Sequence, residues 1–292
     1  MLIWQVAVVV INLSLTVIAL LGFRYSMSAI IGVHAKDELD KKDNFAFGIA
    51  IAGGVLALMM IMSGSVTGTA QASLLDEFIF IVIYAVLGVV LLKIGYLIQD
   101  KILLRGFSTS EQIKSGNVAA GLVVAVNLVA IGIVIRNAIS WVEHDGYMGI
   151  IPVLLVFLAS QFILGFVTGI RAFVYAKRNS GKSWETAICE NNIAIALRFC
   201  GQLIATALAL SCVGSLLDYT NTEVMAVMAG WFFVGILIML IVWVLYRLAF
   251  PIVLTNVDVT EEVDVQQNVG VAAVEAALFV GIASLMLGFI SQ

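Results

Sequence analysis

Charge is scarce in this chain. Of its 292 residues only 12% are Asp, Glu, Lys or Arg, whereas 62% are hydrophobic and the mean hydropathy is +1.10. A water-soluble domain carries about 25% charged residues. Too few polar side chains remain to coat a surface facing water, so a soluble enzyme or nucleotide-binding module is excluded and nucleic-acid binding has no support. Proline is limited to Pro152 and Pro251. Both lie at or near the ends of apolar runs, where the ring is tolerated, so no long helix is broken at its centre. Cysteine is limited to Cys189, Cys200 and Cys212. Their spacing matches neither a disulfide framework nor a metal site, and they read as small apolar packing residues. His34 and His144 fall on opposite sides of the predicted membrane and form no relay. No metal and no cofactor is expected. Arg178-Asn-Ser-Gly-Lys-Ser183 resembles the tail of a phosphate loop, but the position of its first Gly is Ala176 and no strand precedes it.

What the chain has in quantity is hydrophobic length. A helix needs about 20 mostly apolar residues to cross a bilayer. Eight such runs occur, at 3–23, 45–65, 78–98, 118–138, 150–170, 192–213, 224–247 and 269–290. The predicted fold is an all-α polytopic membrane bundle of eight transmembrane helices, with loops too short for an extramembrane domain. No Lys or Arg precedes the first run and no small-residue cleavage site follows it, so a cleaved signal peptide is not expected. Orientation follows Lys and Arg rather than net charge. Thirteen of the 15 fall in the loops after the first, third, fifth and seventh runs and in the helix ends that feed them, from Arg24 through Arg105 to Arg247. Arg136 lies on the other side, and Arg198 lies inside a run. Those four loops are predicted cytoplasmic and both termini periplasmic or extracellular.

The runs repeat in pairs. Each even-numbered run opens with an Asn: Asn44, Asn117, Asn192 and Asn268, at spacings of 73, 75 and 76 residues. Four residues on stand Gly48, Gly121, Ala196 and Ala272, and eight on stand Ala52, Ala125, Cys200 and Ala276. These positions share a helix face. Small residues so spaced let helix backbones approach closely in lipid, so the stripe is read as a packing seam. Each odd run ends with a cation, Arg24, Lys93, Arg171 or Arg247, read as snorkelling anchors. Ser108–Glu111 and Asp258–Glu261 have the cap-then-acid spacing of a helix start, which places the helix starts several residues before the Asn. The chain is thus divided into two four-helix halves, 1–146 (hairpins 1–73 and 74–146) and 147–292 (hairpins 147–218 and 219–292). Each hairpin crosses twice, so all four share one orientation, and inverted-repeat transporter architectures are disfavoured.

The stretch Glu111-Gln-Ile-Lys-Ser-Gly-Asn117-Val-Ala-Ala-Gly, and after it Asp43-Asn44-Phe-Ala-Phe-Gly, resembles the YjfL-like inner-membrane family, domain of unknown function 350. Small members look like one pair of hairpins, and this chain looks like two pairs in tandem. In the last two units Asn192 lacks the preceding Gly, and Asn268 is followed by Val-Gly instead of Val-Ala. The resemblance implies a bacterial inner (plasma) membrane and no established reaction. Some members look associated with peptide-ligating enzymes and envelope-stress genes.

Charges at membrane depth are expensive and mark functional candidates. Arg198 lies six residues past Asn192 and Glu275 seven past Asn268, about 9 and 10.5 Å along their helices. At matching depth they are predicted to pair. The corresponding positions of the first half are Ala50 and Val124, so a function needing the pair belongs to the second half. Asn127 and Gln202 share the slot ten residues past their Asn and are expected to bond between helices, Gln202 also bracing Arg198. The four Asn residues are candidates to cap their helices, to bridge neighbouring units or to line a cytoplasmic vestibule. The acidic loops Asp37-Glu38-x-Asp40 and Glu261-Glu262-x-Asp264 lack a cation-loop pattern and read as solvated surface. Two function classes follow. One is a non-enzymatic membrane component acting through helix packing and contacts with protein partners, or as a homo-oligomer. The other is an ion channel or transporter subunit using the Arg198–Glu275 pair.

Overall fold

The computed structural model describes residues 2–65, 73–104, 106–142, 146–217 and 224–291. Arg105, His144 and the hairpin boundary at 218 lie outside the described residues. Among the described residues the chain forms ten α-helices and no strand. They are α1 (Leu2–Ile31), α2 (Phe45–Gly64), α3 (Leu74–Ile98), α4 (Thr109–Lys114), α5 (Val118–Trp141), α6 (Ile150–Arg178), α7 (Trp184–Cys189), α8 (Ile193–Leu216), α9 (Val224–Val253) and α10 (Val269–Ile290). Eight of them, all but α4 and α7, are long and apolar enough to cross a membrane. The chain is a multi-pass membrane protein. Pro152 sits in the first turn of α6 and Pro251 in the last turn of α9.

The helix starts differ from the sequence expectation. The Ser108 hydroxyl accepts from the Glu111 amide, and the Asp258 carboxylate accepts from the Thr260 and Glu261 amides. These caps open separate lead-in turns: α4 in the second unit and the π-helical turn Thr260–Val265 in the fourth, matched by Asp37–Lys41 in the first and α7 in the third. Each lead-in ends on a residue in the left-handed region, Asp43 at φ +47°, Gly116 at +81°, Asn191 at +60° and Gln267 at +56°. That conformation cannot continue a right-handed helix. The next residue, which in every unit is the Asn, is extended, and the new helix begins directly after it.

Each Asn then caps the new helix by accepting from the amide three residues on: Phe47 at 3.0 Å, Ala120 at 2.9 Å, Ile195 at 3.0 Å and Val271 at 3.2 Å. A side-chain oxygen here satisfies one of the amides that a helix start leaves unpaired. The amide ends of the same side chains reach across units. Asn44 Nδ2 donates to the Ile113 carbonyl at 2.9 Å, and Asn117 Nδ2 to the Ile188 carbonyl at 2.7 Å. Asn191 Oδ1 accepts from the Ala119 amide. All four capped helices therefore start at one end of the bundle, termed the cap end below.

The helices pack in two layers. The capped helices form a row, α2–α5–α8–α10, and α1, α3, α6 and α9 form a second row over it. Within the capped row the backbones touch where side chains vanish. A Cβ on Gly53 would lie 2.4 Å from Ala125 Cα, and one on Gly132 would lie 2.7 Å from Ala57 Cα. Between α8 and α10 a Cβ on Gly201 would lie 2.3 Å from Ala276 Cα. Lipid offers no hydrophobic drive for helix association, so this close van der Waals contact is what holds the row. The first half closes around apolar groups: the Phe23 ring of α1 fills the space beside Gly54, and Met27 and Ile31 are buried below it.

Candidate functional site

In the second half the corresponding interior is charged. Arg198 projects from α8 and Glu275 from α10, and the Arg198 Nε donates to Glu275 Oε2 at 2.7 Å. Their side chains are 12% and 6% exposed. Glu275 Oε1 accepts from the Tyr246 hydroxyl of α9 at 2.9 Å, and the Tyr246 ring is stacked on Phe279. The other two guanidinium nitrogens of Arg198 turn to the lead-in turn of α10, Nη1 to the Asp264 carboxylate and Nη2 to the Val259 carbonyl at 3.1 Å. Asp264 also accepts from Asn179 at the end of α6. A buried charge is tolerated only when its lone pairs and protons are satisfied, and this network does so from five elements.

Asp264 corrects the reading of the acidic loops as solvated surface. Its side chain is 1% exposed. The same holds in the first unit, where buried Glu38 accepts from Lys42 at 2.7 Å and from Asn44 at 2.8 Å. Lys42, then Asn44, hold the Glu38 carboxyl below the usual glutamate range against the opposing effect of its burial.

Beside the network lies a cavity of about 700 Å³ between α6, α8, α9 and the lead-in turn of α10. Its cap end carries Arg171, Arg178, Arg198, Asp258 and Asp264. Farther from the caps its walls are apolar, and Ile170 of α6 and Leu240 and Trp243 of α9 are exposed at its margin. Arg171 Nη2 donates to the Gln202 carbonyl at 3.4 Å, whereas its Nη1 is buried and meets no acceptor among the described residues. The Gln202 side chain lines the same cavity, and the acceptors around Arg198 are Glu275, Asp264 and Val259. Arg24, Lys93 and Arg247 are exposed, and Arg247 lies over the Trp243 ring at 5.0 Å.

Asn127 stands apart from this site. It is buried in α5, with an Oδ1 that no donor reaches among the described residues. The small-residue positions also divide. Gly121, Ala125, Ala196, Cys200 and Ala272 are buried, and Ala276 meets Gly201. On α2 the residues against α5 are instead Ala46, Gly53 and Ala57, while Gly48 is half-buried and Ala52 is exposed. Sequence reasoning missed Asp264, Tyr246 and the cavity role of Arg171. A signal existed for Asp264: a lead-in turn that folds back over the Asn places the residue four before it near the first turns of its neighbour.

A family model described as Domain of Unknown Function (DUF350) matches residues 1–139 and again residues 146–290. The chain belongs to the DUF350 family. The two DUF350 matches lie in tandem and together span almost the whole chain. A relative, the UPF0719 transmembrane protein of Aquifex aeolicus (strain VF5), is 26% identical over 120 residues, covering 41% of this chain and 44% of that protein. The chain thus spans less than half the length of that relative. No solved structure matches. The charged network falls wholly within the second DUF350 segment, and Ala50 and Val124 occupy the positions of Arg198 and Glu275 in the first.

Proposed function

We propose that this DUF350 chain is a non-enzymatic component of the bacterial inner membrane that holds a phosphate-like anionic group in the cavity of its second half. The observation that carries this reading is Arg171 Nη1: a guanidinium nitrogen buried beside a cavity, with no acceptor among the described residues. A buried donor left unpaired is costly, and an anion would satisfy it with a charge-assisted bond. The cavity's charged cap end and apolar far end suit the head and chain of an acidic amphiphile entering between α6 and α9. Arg198 is already neutralised by two carboxylates, so Arg171 and Arg178 are the cations that would receive the ligand. The cation-rich loops support a cap end at the cytoplasmic face.

The test is native mass spectrometry of the protein released from nanodiscs containing phosphatidylglycerol in a zwitterionic background. One phosphatidylglycerol retained by the wild type and by Arg136→Gln, but lost in Arg171→Gln, is the expected result. An Arg171-dependent thermal shift with inorganic phosphate, without lipid retention, assigns the same site to a free anion. If neither probe depends on Arg171, the reading is wrong.

A second reading, a transport step through the same cavity, is favoured by Glu275 lying against it at membrane depth. It predicts ion flux in proteoliposomes that Glu275→Gln abolishes. Absence of flux for a panel of ions removes it.

A further inference from the structure

One phosphate at Arg171 would use only the deeper part of the cavity. Its wall offers a second cation nearer the cap end. Arg171 and Arg178 both line the cavity from α6. Seven residues separate them, which sets them on one face of the helix and about 10.5 Å apart along its axis. Val174 and Tyr175 line the cavity between them. Arg171 is the deeper cation and carries the buried Nη1 without an acceptor. Arg178 is the last residue of α6 and is exposed at the rim. The cap-end lysines Lys41, Lys42 and Lys101 each hold a nearby carboxylate, whereas Arg178 forms no ion pair among the described residues.

The charge of the lining selects the kind of phosphate. Four arginines, Arg171, Arg178, Arg198 and Arg247, stand against three carboxylates, Asp258, Asp264 and Glu275. Asp264 and Glu275 are committed to Arg198, and Asp258 Oδ1 to the Thr260 and Glu261 amides. The lining therefore carries a small positive excess. A phosphodiester brings a single negative charge, whereas a phosphomonoester approaches twice that at neutral pH. A pair of phosphodiesters nearly matches the excess. A diphosphate or a pair of monoesters would set several unmatched negative charges beside the three carboxylates. The spacing of Arg171 and Arg178 also asks for phosphates held apart by a bridge rather than sharing one oxygen. The apolar far walls and the exposed Ile170, Leu240 and Trp243 at the margin suit acyl chains that leave toward the bilayer.

We infer that the ligand is a dimeric phospholipid of the cardiolipin type, in which one glycerol joins two phosphodiesters, with one phosphate at Arg171 and the other at Arg178. This rests on the anion reading of the cavity given above. Basic pockets between membrane helices at the cytoplasmic side hold head groups of this kind. Arg178 is then the residue that distinguishes this lipid from one with a single phosphodiester, which is held through Arg171 alone.

Competition in nanodiscs tests the inference, with phosphatidylglycerol and cardiolipin in equal amounts in a phosphatidylcholine background and the retained lipid read by native mass spectrometry. The wild type should prefer cardiolipin on the order of fivefold, the gain from one further cation contact. Arg178→Gln should abolish the preference and still retain phosphatidylglycerol, and Arg178→Lys should keep most of it. Lys177→Gln removes an adjacent exposed cation that does not line the cavity, and should change nothing. Equal retention of the two lipids by the wild type, with Arg171 still required, overturns the inference and leaves the single-anion reading standing. Equal losses from Arg178→Gln and Lys177→Gln would mean diffuse surface attraction and overturn the assignment to Arg178. An Arg178-dependent thermal shift with inorganic diphosphate, without a preference for cardiolipin, overturns the phosphodiester pair in favour of a soluble ligand. If neither lipid is retained through Arg171 the inference fails, and the thermal shift with inorganic phosphate alone then decides the earlier reading.

Discussion

Asn44 of α2 donates to the backbone carbonyl of Ile113, 69 residues farther along the chain, at 2.9 Å, while the oxygen of the same side chain caps its own helix. Asn44→Asp separates these roles, because the carboxylate still accepts from the Phe47 amide but donates nothing and faces Glu38. We expect it to cost about 1–3 kcal/mol, read as a lowered midpoint of thermal unfolding in detergent. A variant melting with the wild type would show that the bond between units contributes nothing.

Gly201 touches the backbone of α10, whereas Gly22 of α1 has no atom within 4 Å of where a Cβ would stand. Gly201→Val must push α8 and α10 apart and should lose about 1–3 kcal/mol or more. Gly22→Ala should be neutral or slightly stabilising. Comparable losses from the two variants would contradict the close-contact account of the row.

Arg198 bridges two carboxylates, and this alters the outcome of charge reversal. Arg198→Gln leaves Glu275 and Asp264 buried without their cation and should cost about 3–5 kcal/mol. Exchanging the charges by Arg198→Glu with Glu275→Arg sets a new carboxylate against Asp264, so it should recover little. Adding Asp264→Asn should recover more. Folded yield and thermal midpoint decide this, and full rescue by the two-residue exchange would show Asp264 to be a bystander.

The residue before each capping Asn is left-handed whatever its type. Gln267→Gly relieves the steric cost of that conformation and should stabilise the protein by about 1 kcal/mol. Gly116→Ala should destabilise it by a similar amount. Opposite signs in paired melting curves are the expected pattern.

Glu38 is ionised and paired with Lys42 and Asn44 at the cap end, and its folded pKa is lowered. A depressed carboxyl contributes stability in full above the ordinary glutamate range and loses it as pH falls through the lowered folded value. The difference in unfolding midpoint between the wild type and Glu38→Gln should therefore be constant near neutrality and shrink on acidification below that range. A difference that does not change with pH would remove the ionic part of the contact.

The eight spans, the matching depth of Arg198 and Glu275 and the four-fold Asn were legible because each rests on spacing along one helix. What spacing does not encode is which way a lead-in turn folds. Asp264 and Glu38 looked like loop acids because nothing in their local pattern shows that their turns curl over the helix starts. Arg171 could not be told from Arg24, Lys93 and Arg247, since the difference is the burial of its guanidinium between α6 and α8, whereas Arg247 reaches the same cavity from an exposed position. Gly48 and Ala52 belong to a real stripe, but a stripe periodic in sequence does not announce that no capped helix among the described residues packs on that face of α2.

The order of helices in the capped row is the order of their synthesis. Each new hairpin that leaves the translocation machinery finds the face it needs on the hairpin already in place, and its extensive helix contacts are with immediate neighbours. No late helix has to pass between two earlier ones. Assembly can therefore advance in step with elongation, one hairpin at a time from the N-terminal side, with the buried charges of the last two hairpins meeting only when the final helix arrives.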